Sequence, residues 1–144
     1  METVQQLRER YEKYIQDVEN LYRQAKPTDG LFGMGDDPRR DPCHMRFYED
    51  VEQWTKAFLT GEPRQEAVFD AVRFMLETPA QYRQEHSFWF LFAAQGLTRA
   101  LIPRLTGAQC TALRGSYDER YPRRDRMPVQ KEVYRLLKKG ADCR

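Results

Sequence analysis

The sequence predicts an all-α, single-domain bundle of five or six helices with a long Gly/Pro-rich loop after the first helix. Three observations predict it. Apolar residues recur at three- and four-residue spacings along most of the chain. No segment shows sustained period-two alternation, and no internal repeat is visible. Gly, Pro and Thr-x-x-Gln signals fall where helices must stop and start. The 144 residues amount to one ordinary domain. Hydrophobic residues at 40% and aromatics at 12% can form a core without disulfides or metals, and 32% charged residues give a well-solvated surface.

The first helix is read from Val4, Leu7, Tyr11, Tyr14, Val18, Leu21 and Ala25, with Ile15 and Tyr22 widening the stripe. Nothing breaks it before Pro27, so it should run about six turns, with a stripe broad enough for a bundle. The pairs Glu9/Lys13 and Glu19/Arg23 have the spacing for weak intrahelical ion pairs. From Lys26 to Asp41 the periodicity stops at Pro27, Gly30, Gly33, Gly35 and Pro38, which reads as a loop. Asp41-Pro42 restarts the helical pattern as N-cap and first-turn proline.

Met45, Tyr48, Val51, Thr55 and Phe58, flanked by Phe47, Trp54 and Leu59, define the second helix, which Gly61 should end. Pro63 opens a third, with Ala67, Val68, Ala71, Val72, Met75 and Leu76 inward. Thr78-Pro79-Ala80-Gln81 has the form of a capping box for the fourth. Tyr82, His86, Trp89, Phe90, Ala93, Leu97, Ala100 and Leu101 carry it to Pro103. The run Phe88–Phe92 suits a buried strand equally well in isolation, and its helical flanks decide for helix. Thr106-Gly107-Ala108-Gln109 caps a fifth helix through Cys110, Leu113 and Tyr117. A basic linker from Arg120 to Pro128 then leads to a sixth helix ending at Gly140. Trp54, Phe58, Phe74, Trp89, Phe90, Phe92 and Leu101 are the expected core.

Several function classes are disfavoured. The longest apolar run, Phe88–Ala94, is far too short to span a bilayer, and the first ten residues hold no apolar signal-peptide core. Cys43, Cys110 and Cys143 are odd in number and widely spaced, which suits free thiols in a reducing compartment, hence a cytoplasmic expectation. With two histidines, no Cys-x-x-Cys and one Asp41/His44 pairing, neither structural zinc nor a di-metal carboxylate site has its spacing, so no metal or cofactor is expected. Cys43 and His44 are adjacent on a helix and point about 100° apart, which defeats a nucleophile–base pair. His86 lies on the apolar stripe, as a hydrogen-bonded core histidine would. Gly30–Gly35 lacks the Lys-Ser/Thr of a phosphate loop, and Asp36 and Asp37 lack the alternating ligands of a calcium loop. Glu49, Asp50 and Glu52 read as a solvated face.

The charge distribution carries the main lead. Residues 1–113 hold 14 basic and 17 acidic groups, whereas residues 114–144 hold 10 basic and 5 acidic, a net of +5. Arg120, Arg123, Arg124 and Arg126 stud the linker beside Tyr117 and Tyr121. In the last helix Val129, Val133, Leu136 and Leu137 form one stripe, and Lys131, Arg135, Lys138 and Lys139 form the opposite one. An apolar face turned inward would present those cations to phosphates, with the tyrosines available for stacking. The competing reading is an ordinary basic helix, its field diluted by Asp118, Asp125 and Glu132. The linker is too long for a helix-turn-helix.

Three functions follow in order. The first is a non-catalytic binding or regulatory protein that engages nucleic acid or an acidic partner through residues 120–139. The second is a protein–protein adaptor or homo-oligomer that uses the first helix and the loop residues Leu31, Phe32 and Met34, whose apolar side chains gain nothing from solvent. The third is a metal- or thiol-dependent enzyme around Asp36, Asp37, Asp41, Cys43 and His44.

Overall fold

A computed structural model describes residues 3–24, 42–78 and 84–143, with side chains at all of these except 21, 22, 24, 42–44 and 84–92. The described chain forms six α-helices: α1 (Val4–Gln24), α2 (Pro42–Thr60), α3 (Gln65–Glu77), α4 (Gln84–Leu101), α5 (Gly107–Arg120) and α6 (Pro128–Cys143). Short 3-10 turns at Ile102–Arg104 and Arg123–Asp125 flank α5, and no strand occurs among the described residues. The predicted loop, residues 26–41, lies outside the described residues. The aromatic run Phe88–Phe92 is helical, so the strand alternative is excluded.

Helix neighbours form a closed circuit: α1 packs on α2, α2 on α4, α4 on α6, α6 on α5, α5 on α3, and α3 returns to α1. A contact between α3 and α4 crosses the middle. All six helices feed one apolar cluster, including Leu7, Tyr14, Trp54, Met75, Leu97, Tyr117 and Leu137. Tyr14 stacks on Phe47 at 4.3 Å and Trp54 on Phe58 at 4.4 Å, which joins α1 to α2 and stiffens α2. Of the expected core, Trp54, Phe58 and Leu101 are buried and Phe74 is half-buried; Trp89, Phe90 and Phe92 lie outside the described side chains.

Local signals explain two of the helix starts. Thr106 and Gln109 form the predicted reciprocal capping box of α5. Thr3 and Gln6 make a second at α1, which the sequence reading overlooks: Gln6 N–H donates to Thr3 Oγ1 at 3.3 Å and Thr3 N–H to Gln6 Oε1 at 2.7 Å. The Trp54 indole donates to the Thr3 carbonyl at 2.9 Å and ties this end of α1 to α2.

Other expectations need correction. Thr78 has helical backbone angles and closes α3, donating its hydroxyl to the Phe74 carbonyl, so it is not an N-cap. The buried face of α2 runs through Phe47, Val51, Trp54 and Phe58, which leaves Met45 47% exposed and Tyr48 half-buried. The reason is spacing, since those four residues follow a strict i, i+4, i+7, i+11 line that Met45 leaves. Beyond Gly61, the chain turns with Glu62 in the left-handed region at φ 52°. Helix α6 continues past a buried Gly140 to Cys143. Neither Glu9/Lys13 nor Glu19/Arg23 forms an ion pair; Arg23 donates to Asn20 at 3.1 Å.

Candidate polyanion-binding surface

Helix α6 is built as the sequence predicts, with two opposed faces. Val133, Leu137, Gln130 and Gly140 are buried, and Val129 and Leu136 are half-buried at the edges. Lys131, Arg135, Lys138 and Lys139 are all exposed on the opposite side. At about 100° per residue these four lie within a sector of roughly 100°, spread over about 12 Å of helix axis. Among the described residues, none of the four takes part in an ion pair.

The orientation of α6 is held from both ends and one flank. At its start the Gln130 side chain accepts the Met127 N–H at 2.8 Å and satisfies an orphan donor. On its flank Glu132 accepts from Arg99 of α4 through two of its three guanidinium nitrogens, Nε and Nη2, the latter at 3.0 Å, and from Gln95 at 3.2 Å. The Arg99 hydrogen bond holds the Glu132 carboxyl below the usual range, and Glu132 in turn raises Arg99. Near its end Asp142 meets Arg114 of α5 at 3.5 Å. Two carboxylates expected to dilute the basic field are therefore spent internally, Glu132 on Arg99 and Asp118 on Arg126.

The four linker arginines separate. Arg126 is buried: its Nε donates to the Tyr121 carbonyl at 2.9 Å, its Nη2 reaches Asp118 at 2.6 Å, and the guanidinium lies 4.4 Å from the Tyr134 ring centre. The surface reading of Arg126 is thus corrected, because its charge joins the end of α5 to α6 from inside. Arg123 is exposed, donates to the Tyr134 hydroxyl at 3.1 Å and lies over the same ring at 5.5 Å. Tyr134 is about 40° around the helix from Lys138, so this contact sets Arg123 beside the basic stripe. Arg124 is exposed and without an ion pair among the described residues. Arg120 turns away, its Nη1 resting 3.4 Å from the Glu77 carbonyl of α3.

Tyr117 and Tyr121 face inward and do not offer stacking faces. Tyr117 is buried, its hydroxyl has no hydrogen-bond partner among the described residues, and burial pushes its pKa well above the ordinary value. Tyr121 is half-buried, donates to the Leu76 carbonyl at 3.3 Å and is raised for the same reason. The aromatic ring that does adjoin the basic face is Tyr134, which sequence reasoning missed. Its position next to Val133 in the last helix was visible, but its two arginine neighbours come from the linker and leave no periodic signal.

The remaining candidates do not assemble into a site among the described residues. Leu31, Phe32, Met34, Asp36, Asp37 and Asp41 lie outside the described chain. Cys43 and His44 occupy the first turn of α2 and His86 lies in α4, with side chains outside the description. Cys110 is buried and Cys143 exposed, neither in a disulfide. No group of three or more metal-ligating side chains converges among the described residues. No described helix is long and apolar enough to cross a membrane. The class defined by the fold is a six-helix all-α domain with a basic outer face on its last helix. Comparison with protein-family models, with curated proteins and with solved structures finds no match for this chain.

Proposed function

We propose that this protein is a non-catalytic binding protein that engages the phosphate backbone of nucleic acid through the outer face of α6. One observation supports the reading above the others: Lys131, Arg135, Lys138 and Lys139 share a solvent-facing sector and make no ion pair with described neighbours. Unpaired cations at helical spacing meet phosphates without first breaking intramolecular bridges, and released counterions drive the association. Arg123, seated on the Tyr134 ring, extends the same side. Contacts of this kind position a backbone and carry no base readout, so the binding would be tolerant of sequence.

The test is fluorescence anisotropy with a labelled duplex and a labelled single strand, at 50 and 200 mM salt. A face that neutralises about four phosphates gives an affinity loss on the order of 100-fold over that range. Substitution of Lys131, Arg135, Lys138 and Lys139 by Gln should abolish binding while leaving the fold intact. Binding to an acidic peptide with no binding to either nucleic acid would assign the face to a protein partner instead.

A further inference from the structure

A second site arises from how the helices meet. Helix α3 has 13 residues, against 21 in α1, and both α1 and α5 lean on it without packing closely on one another. The gap above α3 is a cleft of about 330 Å³, at the small end of the range that holds low-molecular-weight ligands. Three arginines line it, each from a different helix: Arg8 of α1, Arg73 of α3 and Arg120 of α5.

Each arginine is oriented yet lightly engaged. Arg8 lies 5.0 Å from the Phe74 ring centre, and that ring is itself fixed edge-on against Tyr11 at 5.5 Å. Glu12 stands four residues after Arg8 on the same helix, but no ion pair forms between them. Arg73 approaches Glu77 only to 3.8 Å, and Arg120 reaches a carbonyl at 3.4 Å. Glu77 also accepts from Ser116 at 3.4 Å, so this carboxylate is already shared. An arginine held in place with unfilled donors suits an incoming oxyanion, since its planar fork loses little freedom on binding.

From this geometry we infer that the cleft binds a small phosphate monoester. Three arginines brought to one cleft by three helices can together serve the several oxygens of a tetrahedral group, whereas a carboxylate offers two oxygens in one plane. Glu12 and Glu77 leave the lining with one net positive charge, which fits a single phosphate and disfavours a polyphosphate chain. The inference stands apart from the α6 reading and withdraws Arg120 from that face.

Isothermal titration calorimetry on the full chain tests it, with glycerol 2-phosphate as probe and malonate as the dicarboxylate comparison. Saturable one-to-one binding is expected, weaker by about 10-fold in each of Arg8→Gln, Arg73→Gln and Arg120→Gln. Lys138→Gln/Lys139→Gln should bind as the wild type does. In the unaltered protein the arginine Nε–H resonances of Arg8, Arg73 and Arg120 should move on addition of the probe, a readout independent of variant folding. No saturable heat, tighter binding of malonate, loss of binding only in the α6 variant, or resonance changes confined to other arginines would each overturn the inference.

Discussion

The segment Arg120–Arg126, whose first residue closes α5, and the helix face Lys131–Lys139 each contribute four cations and look alike as charge in a linear sequence, but the fold gathers the helix set on one face and disperses the other, burying Arg126 alone of its four. On α6 the apolar residues at the complementary helical positions are drawn into the core, and the four cations are left outside by geometry. The linker has no such period. Its arginines are placed by whatever aromatic rings and carbonyls lie within reach, so Arg126 goes inside, Arg123 rests on Tyr134 and Arg120 leans over α3. Periodicity is what gathers the charges of a segment onto one continuous face.

The comparison is sharpest where an inner residue is set against its outer neighbour. Leu137→Ala should destabilise the protein by about 3 kcal/mol, since it empties a fully buried site that anchors α6, whereas Lys138→Ala should stay within about 0.5 kcal/mol. Urea unfolding midpoints distinguish the two. Within the linker, Arg126→Ala should cost about 2 kcal/mol and Arg124→Ala close to nothing. The value falls below that of a fully buried pair because Asp118 remains 42% exposed and can be hydrated once its partner is gone. Equal effects at 124 and 126 would erase the distinction drawn here.

Smaller effects probe the groups that hold the two regions together. Tyr117→Phe removes a buried hydroxyl without a partner and should be neutral or stabilising by up to about 1 kcal/mol. It also has a pH signature. The folded state holds the Tyr117 proton more tightly than the unfolded chain does, because burial raises its pKa. Stability is therefore unaffected below about pH 10 and falls as pH rises above it, where the unfolded chain alone ionises. Melting curves from pH 9 to 11 should show a shallower decline in Tyr117→Phe, with a residual slope from Tyr121. Glu132→Gln should cost about 0.5 kcal/mol, because Arg99 is more than half exposed and solvent screens the pair. The loss should disappear in acid: the wild-type carboxylate has its pKa lowered, so the bridge is complete above the ordinary Glu value and is lost as pH falls through the folded one.

Much of the bundle was legible because its information is local. The stripes of α1, α3 and α6 and the Thr106/Gln109 box follow from spacing and short-range hydrogen-bond chemistry, and each was readable within one or two turns of chain. Thr78 misled for a related reason: its hydroxyl can serve the helix before it or the one after it, and the two uses look identical in sequence. The outward set of α6 cations was legible for the same periodic reason as its core. What was not legible depends on distant partners. Arg126 finds Asp118 eight residues earlier across a turn, and Tyr134 from the following helix closes the same pocket. The cleft of Arg8, Arg73 and Arg120 joins residues more than forty positions apart, so no local spacing announces it.

The fold divides the basic segment into displayed cations and one internal arginine, Arg126. Labelling the folded protein with phenylglyoxal, which attacks accessible guanidinium groups, tests it most directly when modification is read residue by residue by mass spectrometry. Arg124 and Arg135 should be modified at the rate of exposed arginines, while Arg126 should react at least ~10-fold more slowly, limited by local opening. Modification of Arg126 as fast as Arg124 would contradict it.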